Sequence, residues 1–170
     1  NTINFIIGGP NKYFKFHQQT QDKILNEIKF LSNKFKVNVI PSRRTPRGLI
    51  DELSKIDNGN IITFNDLFNP KKYGELLSES NLQVVTWDSI SMISEAISSE
   101  AGTFLFKFEE KFCPKKYYKF FDKITELNFA QFYNQNLKPY KISISDYNKA
   151  LKTKILNKIQ SNLRFNSSNA

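Results

Sequence analysis

The chain has 170 residues, one domain's length, enough to bury about 70 % of its unfolded surface without a disulfide or metal staple. It is 39 % hydrophobic with 16 Phe, 7 Tyr and 1 Trp and only 6 Gly and 6 Pro, which argues against disorder and fibrous repeats. Cys113 and His17 are the single residues of their kinds, which excludes an intrachain disulfide, a Cys₄ or Cys₂His₂ zinc site and most His-based triads.

The net charge is +9, and 21 of the 25 basic residues are Lys. Lysine-dominated charge says little about specific recognition, since bidentate reading of phosphates favours Arg. Residues 138–170 carry Lys138, Lys141, Lys149, Lys152, Lys154, Lys158 and Arg164 against Asp146 alone, a net +6, and the other 137 residues only +3. That segment is either a solvated helix face or the side that meets an anionic partner. No apolar run approaches the ~18 residues of a membrane span, so a cytoplasmic location is expected, peripheral to a membrane at most.

Strand-like and helix-like segments alternate. A β-branched run, Ile3–Ile7, reads as a first strand and ends in Gly8-Gly9-Pro10. Two positions without Cβ leave room for a phosphate to approach, and a plain structural turn explains them equally well. The full GxGxxG fingerprint is missing, because Asn11 and Tyr13 follow, and this counts against a dehydrogenase. Thr20–Phe35 has helical period, with Ile24, Leu25, Ile28 and Leu31 on one face.

The second strand, Val37–Ile40, leads into Ser42-Arg43-Arg44-Thr45-Pro46 and a helix expected over Pro46–Ile56 with Pro46 as its first residue. Ser42, Arg43, Arg44 and Thr45 form a candidate anion site, since guanidinium forks and unpaired helix N–H groups both favour phosphate; an exposed capping turn is the alternative. A strand at Asn60–Phe64 and a helix at Pro70–Ser80 follow.

The fourth strand, Gln83–Trp87, runs through Asp88 and Ser89 into a helix over Ser91–Ser99. Ser89, Ser91 and the free backbone N–H groups near Met92 suit a diphosphate, and Glu95, one turn on, suits ribose hydroxyls. A capping box on Ser89 or Ser91 is the competing explanation. Asp88 could cap the helix, orient Arg43 or touch a ligand. A strand at Thr103–Phe108, a helix at Lys115–Leu127 and a strand at Phe129–Tyr133 complete the alternation.

Repeated β–α–β order predicts an α/β fold: a doubly wound, mostly parallel, six-stranded Rossmann-like sheet with helices on both faces. Ligands of such sheets sit beyond the carboxyl ends of the strands, where these loops lie. Residues 1–139 read as this nucleotide-binding domain and 140–170 as a basic amphipathic helix with a frayed tail. Ser143 or Ser145 caps that helix, and Ile144, Tyr147, Leu151, Ile155, Ile159 and Leu163 form a stripe in want of a partner. Tyr117, Tyr118, Phe120 and Phe121 beside Lys115, Lys116 and Lys119 could stack bases, but their helical spacing favours core, so nucleic acid is not the expected partner.

Taken together, Gly8-Gly9-Pro10, Ser42-Arg43-Arg44-Thr45-Pro46, Asn69-Pro70 and the run from Thr86 to Ala96 resemble the mitochondrial-fission (elongated-mitochondria) protein family of plants and bacteria. The resemblance covers roughly residues 3–134. It implies the C-terminal nucleotide-binding half of a glycosyltransferase-B-like protein, with Gly8 and Gly9 facing the phosphates, Ser91 and Met92 offering N–H groups to the diphosphate and Glu95 holding ribose. It also implies a partner domain ahead of residue 1 and a bacterial member of a family often labelled nucleoside-diphosphate-sugar epimerase. Two departures stand out: Glu100-Ala101-Gly102-Thr103 replaces an expected Gly-Lys-Pro, and Gln131 stands where the family tends to have Arg.

The expected function is thus binding of a nucleoside diphosphate sugar in a glycosyltransferase-like protein. No Asp-x-Asp pair occurs in the sequence, so Arg43, Arg44 and helix N-termini are expected to stabilise the leaving diphosphate with no cofactor beyond the sugar nucleotide itself. The catalytic base is expected outside this chain and the isolated domain to be inactive. A non-enzymatic adaptor that keeps the fold and meets a protein or an anionic membrane through 138–165 is the alternative.

Overall fold

The computed structural model describes residues 2–56, 61–63 and 70–153. In chain order they form β1 (Thr2–Ile7), α1 (Gln18–Ser32), β2 (Lys36–Pro41), α2 (Arg47–Ser54), β3 (Ile61–Thr63), α3 (Pro70–Glu79), β4 (Leu82–Thr86), α4 (Ile90–Ser98), β5 (Gly102–Phe106), α5 (Lys115–Glu126) and β6 (Gln131–Phe132). A further helix occupies 144–153. The six strands stand in the order β3-β2-β1-β4-β5-β6, and every pair is parallel. The doubly wound α/β fold expected from the alternation is therefore present, and its strand order reverses between β1 and β4.

Both faces of the sheet are covered, because every position of β4 and β5 and all but the first of β1 are buried. On one face Phe5 meets Phe106 edge-on and Phe106 meets Tyr133, whose hydroxyl donates to Glu27 of α1 at 2.9 Å. On the other face polar side chains replace apolar ones in the middle of the sheet. Asn38, Asn4 and Gln83 lie in register on β2, β1 and β4. Asn38 Nδ2 donates to Asn4 Oδ1 at 3.0 Å, and Asn4 Nδ2 donates to Gln83 Oε1 at 3.0 Å and to the Leu76 carbonyl at 2.6 Å. Gln83 Nε2 donates to the Leu77 carbonyl at 2.7 Å. These amides satisfy carbonyls near the end of α3, where helical partners run out, and they fix the register of three strands.

The aromatics of α5 are largely core: Phe121 is buried, Tyr117 and Phe120 pack against the core, and Tyr118 remains exposed. Cys113 is a buried free thiol and His17 stands, exposed, at the N-cap of α1. Pro46 occupies the N-cap of α2, so the helix begins at Arg47, one position later than expected. Strand β5 ends two residues before the expected Phe108, where the Phe108 carbonyl leaves the ladder to accept the Trp87 indole N–H at 3.1 Å. Strand β6 shrinks to two residues because it pairs only with β5.

The first residues of the expected C-terminal segment, 140–142, pack against the start of β5. Ile142 is buried, Lys141 bridges to Ala101, and the Tyr140 hydroxyl accepts the Thr103 N–H at 3.0 Å and donates to the Thr103 carbonyl at 2.7 Å. Burial pushes the Tyr140 phenol up to about 12. A Cβ at Gly102 would stand 2.9 Å from the Tyr140 ring, so the glycine admits this strap. Of the C-terminal stripe, Ile144 packs against the core, Tyr147 meets Phe129 edge-on and Leu151 is exposed; Ile155, Ile159 and Leu163 lie outside the described residues, as does the Asn69 loop. Among the described residues no helix is long and apolar enough to cross a membrane.

Two substitutions test this packing. Asn4→Ala removes the acceptor of Asn38 and the donor to Gln83 inside the sheet, and should cost about 3 kcal/mol in urea unfolding. Glu100 has a left-handed backbone, φ 59°, just past the C-cap of α4. Glu100→Gly should therefore raise stability by about 1 kcal/mol, and an unchanged unfolding midpoint would contradict the assigned strain.

Candidate functional site

Parallel strands put the loops after β1, β2 and β4 at one end of the sheet, and hydrogen bonds tie them together there. Asp88, in the turn after β4, has a side chain 0 % exposed. Its Oδ2 accepts the Gly9 N–H at 3.0 Å and Arg44 Nη2 at 3.1 Å, and its Oδ1 accepts the Thr86 hydroxyl at 2.7 Å. The Thr86 oxygen in turn accepts the Gly8 N–H at 2.7 Å. Arg44 Nη1 donates to the carbonyls of Gly9 at 2.7 Å and Pro10 at 3.4 Å. One carboxylate thus joins three loops.

A second set of bonds shapes the loop after β2. Thr45 Oγ1 accepts the Ser42 N–H at 2.8 Å and shares its proton between the carbonyls of Ile7 at 2.9 Å and Gly8 at 2.7 Å. The Ser42 hydroxyl accepts the Arg44 N–H at 3.2 Å. Thr45 is therefore a structural peg, and Arg43 and Arg44 are the exposed residues of this turn. Of the three roles open to Asp88, the structure realises an ion pair, with Arg44 where the sequence suggested Arg43.

At the start of α4, Ser89 stands at the N-cap but makes no side-chain cap bond. Its hydroxyl lies 3.2 Å from that of Ser91 instead. The capping box offered as an alternative is therefore not made, and the N–H groups of Ser91 and Met92 have no side-chain cap. Ser91 and Glu95 are exposed and Met92 is half-buried. Glu95 lies beside the half-buried Tyr73 of α3, whose phenol is pushed well up, first by burial and then by the Glu95 charge.

All eleven candidate residues, Gly8, Gly9, Ser42, Arg43, Arg44, Thr45, Asp88, Ser89, Ser91, Met92 and Glu95, belong to these loops or to the helix start beside them. The two glycines face protein groups. A Cβ on Gly8 would stand 2.1 Å from Asp88 Oδ2, and one on Gly9 2.0 Å from the Arg44 carbonyl oxygen. Three participants escaped the sequence reading: Thr86, Tyr73 and Asn11, whose Nδ2 donates to the Asp88 carbonyl at 3.1 Å. An Asn directly after Gly-Gly-Pro was the one available signal, since Asn side chains commonly close such turns. Among the described residues no group of three or more His, Cys, Asp or Glu is placed to hold a metal ion.

Burial outweighs the donors around Asp88 and holds its carboxyl above the usual 3.8. A folded pKa raised above the unfolded value contributes stability that is fully present below about 3.8 and lost as pH rises through the raised value. Relative to Asp88→Asn, which mimics the neutral acid, the native protein should gain stability in urea unfolding as pH falls from 7 towards 4. A gap that moves the other way would mean that the donors dominate. Asp88→Ala, which leaves the Gly9 N–H, the Thr86 hydroxyl and Arg44 without their acceptor, should cost about 3 kcal/mol at neutral pH.

Comparison with known proteins places the chain in a family. Over 142 residues the chain is 28 % identical to the uncharacterised protein RP120 of Rickettsia prowazekii (strain Madrid E), an alignment that covers 78 % of this chain and 38 % of that protein. The chain thus spans well under half the length of this relative. The profile of the family described as mitochondrial fission ELM1 matches residues 1–157, which include every loop of the site. The chain belongs to the mitochondrial fission ELM1 family.

Proposed function

We propose that the chain is the nucleotide-binding half of a glycosyltransferase-like protein, taking a nucleoside diphosphate sugar at the carboxyl ends of β1, β2 and β4. The observation that carries this reading is the reversal of strand order between β1 and β4, with Arg44 and the uncapped start of α4 gathered at that point. Doubly wound sheets bind nucleotides at such reversals. The N–H groups of Ser91 and Met92 and the guanidinium of Arg44 are donors suited to the diphosphate as charge develops on it when the sugar departs. Glu95, one turn into α4, accepts from ribose hydroxyls. The acceptor site and the base that activates the acceptor are assigned to the remainder of a longer protein, in keeping with the fraction of RP120 that this chain covers.

A second reading has its own support. The space at Gly8 and Gly9 is taken by Asp88 and Arg44, as in a fold kept for its surface by an adaptor with no nucleotide to bind. Thermal unfolding with a panel of nucleoside diphosphates and their sugars separates the two. A ligand at a hundred times its Kd adds about 2.7 kcal/mol, so one member of the panel should raise the midpoint by several degrees. Glu95→Ala should cut that gain while leaving the unliganded midpoint within a degree. A flat panel favours the adaptor.

A further inference from the structure

The Gly8-Gly9 turn offers donors of the kind that bind a phosphate, and they are already satisfied. The Asp88 carboxylate takes the Gly9 N–H, the Thr86 hydroxyl and Arg44 Nη2, at 3.0, 2.7 and 3.1 Å, in full burial. Only glycine tolerates a carboxylate oxygen 2.1 Å from where its Cβ would be. The missing side chains therefore make room for the protein's own anion.

We propose that Asp88 is the resident anion of this turn and a positioning residue, holding Arg44 so that its guanidinium, and not the glycine amides, receives the phosphate of a ligand. The proposal rests on the nucleotide-binding reading above and names the group that meets the ligand. A guanidinium has five N–H donors. Nη1 uses two on the Gly9 and Pro10 carbonyls and Nη2 one on Asp88. The Nε–H and the second Nη2–H remain, a two-donor fork that matches two oxygens of one phosphate. The Arg44 side chain is 39 % exposed, and the proposal places these two donors on its open side. The ligand class is a phosphate or diphosphate with two unesterified oxygens on one phosphorus.

Charge and position make opposite predictions here, which gives the test its power. A carboxylate 3.1 Å from Arg44 opposes a second anion, so if Asp88 acted through charge alone its removal would tighten anion binding. If it acts by position, removal loosens the fork and weakens binding. The measurement is calorimetric titration with inorganic pyrophosphate at fixed ionic strength, with thermal midpoints recorded for every variant. Arg44→Lys keeps the charge but not the fork and should raise Kd at least tenfold. Asp88→Asn should raise it about fivefold, and the double variant should be no more than twofold worse than the weaker single one, since both remove one arrangement. Lys34→Gln, past the far end of α1, controls for net charge and should stay within twofold. Equal or tighter binding by Asp88→Asn, or binding by Arg44→Lys within twofold of the native protein, overturns the proposal. If Asp88→Asn fails to fold, Arg44→Lys decides alone. Failure of the native protein to bind pyrophosphate overturns the proposal together with the nucleotide reading, whereas native binding that Arg44→Lys spares overturns the proposal only.

Discussion

The structure at the carboxyl end of the sheet depends on the burial of one carboxylate. Asp88 has no access to water and takes hydrogen bonds from groups on both sides of the strand reversal. A buried charge is tolerable only when paired and hydrogen-bonded, and meeting that condition draws the loops after β1, β2 and β4 together. Other features of the site follow from it. Gly8 must lack a Cβ for the carboxylate to fit, Thr86 passes the demand of the Gly8 N–H on to Asp88, and Arg44 is held against the Gly9 and Pro10 carbonyls and Asp88.

The middle of the sheet shows the same logic without a charge. Asn38, Asn4 and Gln83 put three amides side by side where apolar residues would pack more simply. Because the partners of each amide lie on neighbouring strands and on α3, a slip in register would strand several buried polar groups at once. The two networks sit on the same central strands: Gln83 and Thr86 both belong to β4. The position of Asp88 is thus set by a strand whose register is itself fixed by buried hydrogen bonds.

Much of this was legible in the sequence. Periodicity located every helix and strand among the described residues, and β–α–β alternation gave the parallel sheet, because each depends on short-range pattern. What pattern could not supply was the choice between neighbours. Arg43 and Arg44 are chemically identical, and only the Ser42–Thr45 turn decides which one faces Asp88. Asn4, Asn38 and Gln83 are polar residues inside strands, and which neighbours would satisfy them is set by strand order and by α3, which short-range pattern does not give. Gly8 and Gly9 signal a close approach correctly, but a missing Cβ does not say whether the approaching group is a ligand or an aspartate. The stripe that begins at Ile144 was legible as amphipathic, and its described part divides between packed Ile144 and Tyr147 and exposed Leu151.

Membership of the mitochondrial fission ELM1 family and the Rossmann-like fold constrain the function without naming a substrate. The central claim is that the three loops form an anion-facing site whose inner seat Asp88 already holds. It is tested most directly by ¹H–¹⁵N correlation spectra, including the arginine Nε–H region, recorded while a nucleoside diphosphate is titrated into the protein. The account predicts that the Arg44 Nε–H and the amides of Ser91 and Met92 shift together and saturate with one affinity, while the Gly9 amide keeps its position. Shifts led by Gly8 and Gly9, or confined to the opposite end of the sheet around Asn81 and Tyr140, would contradict it.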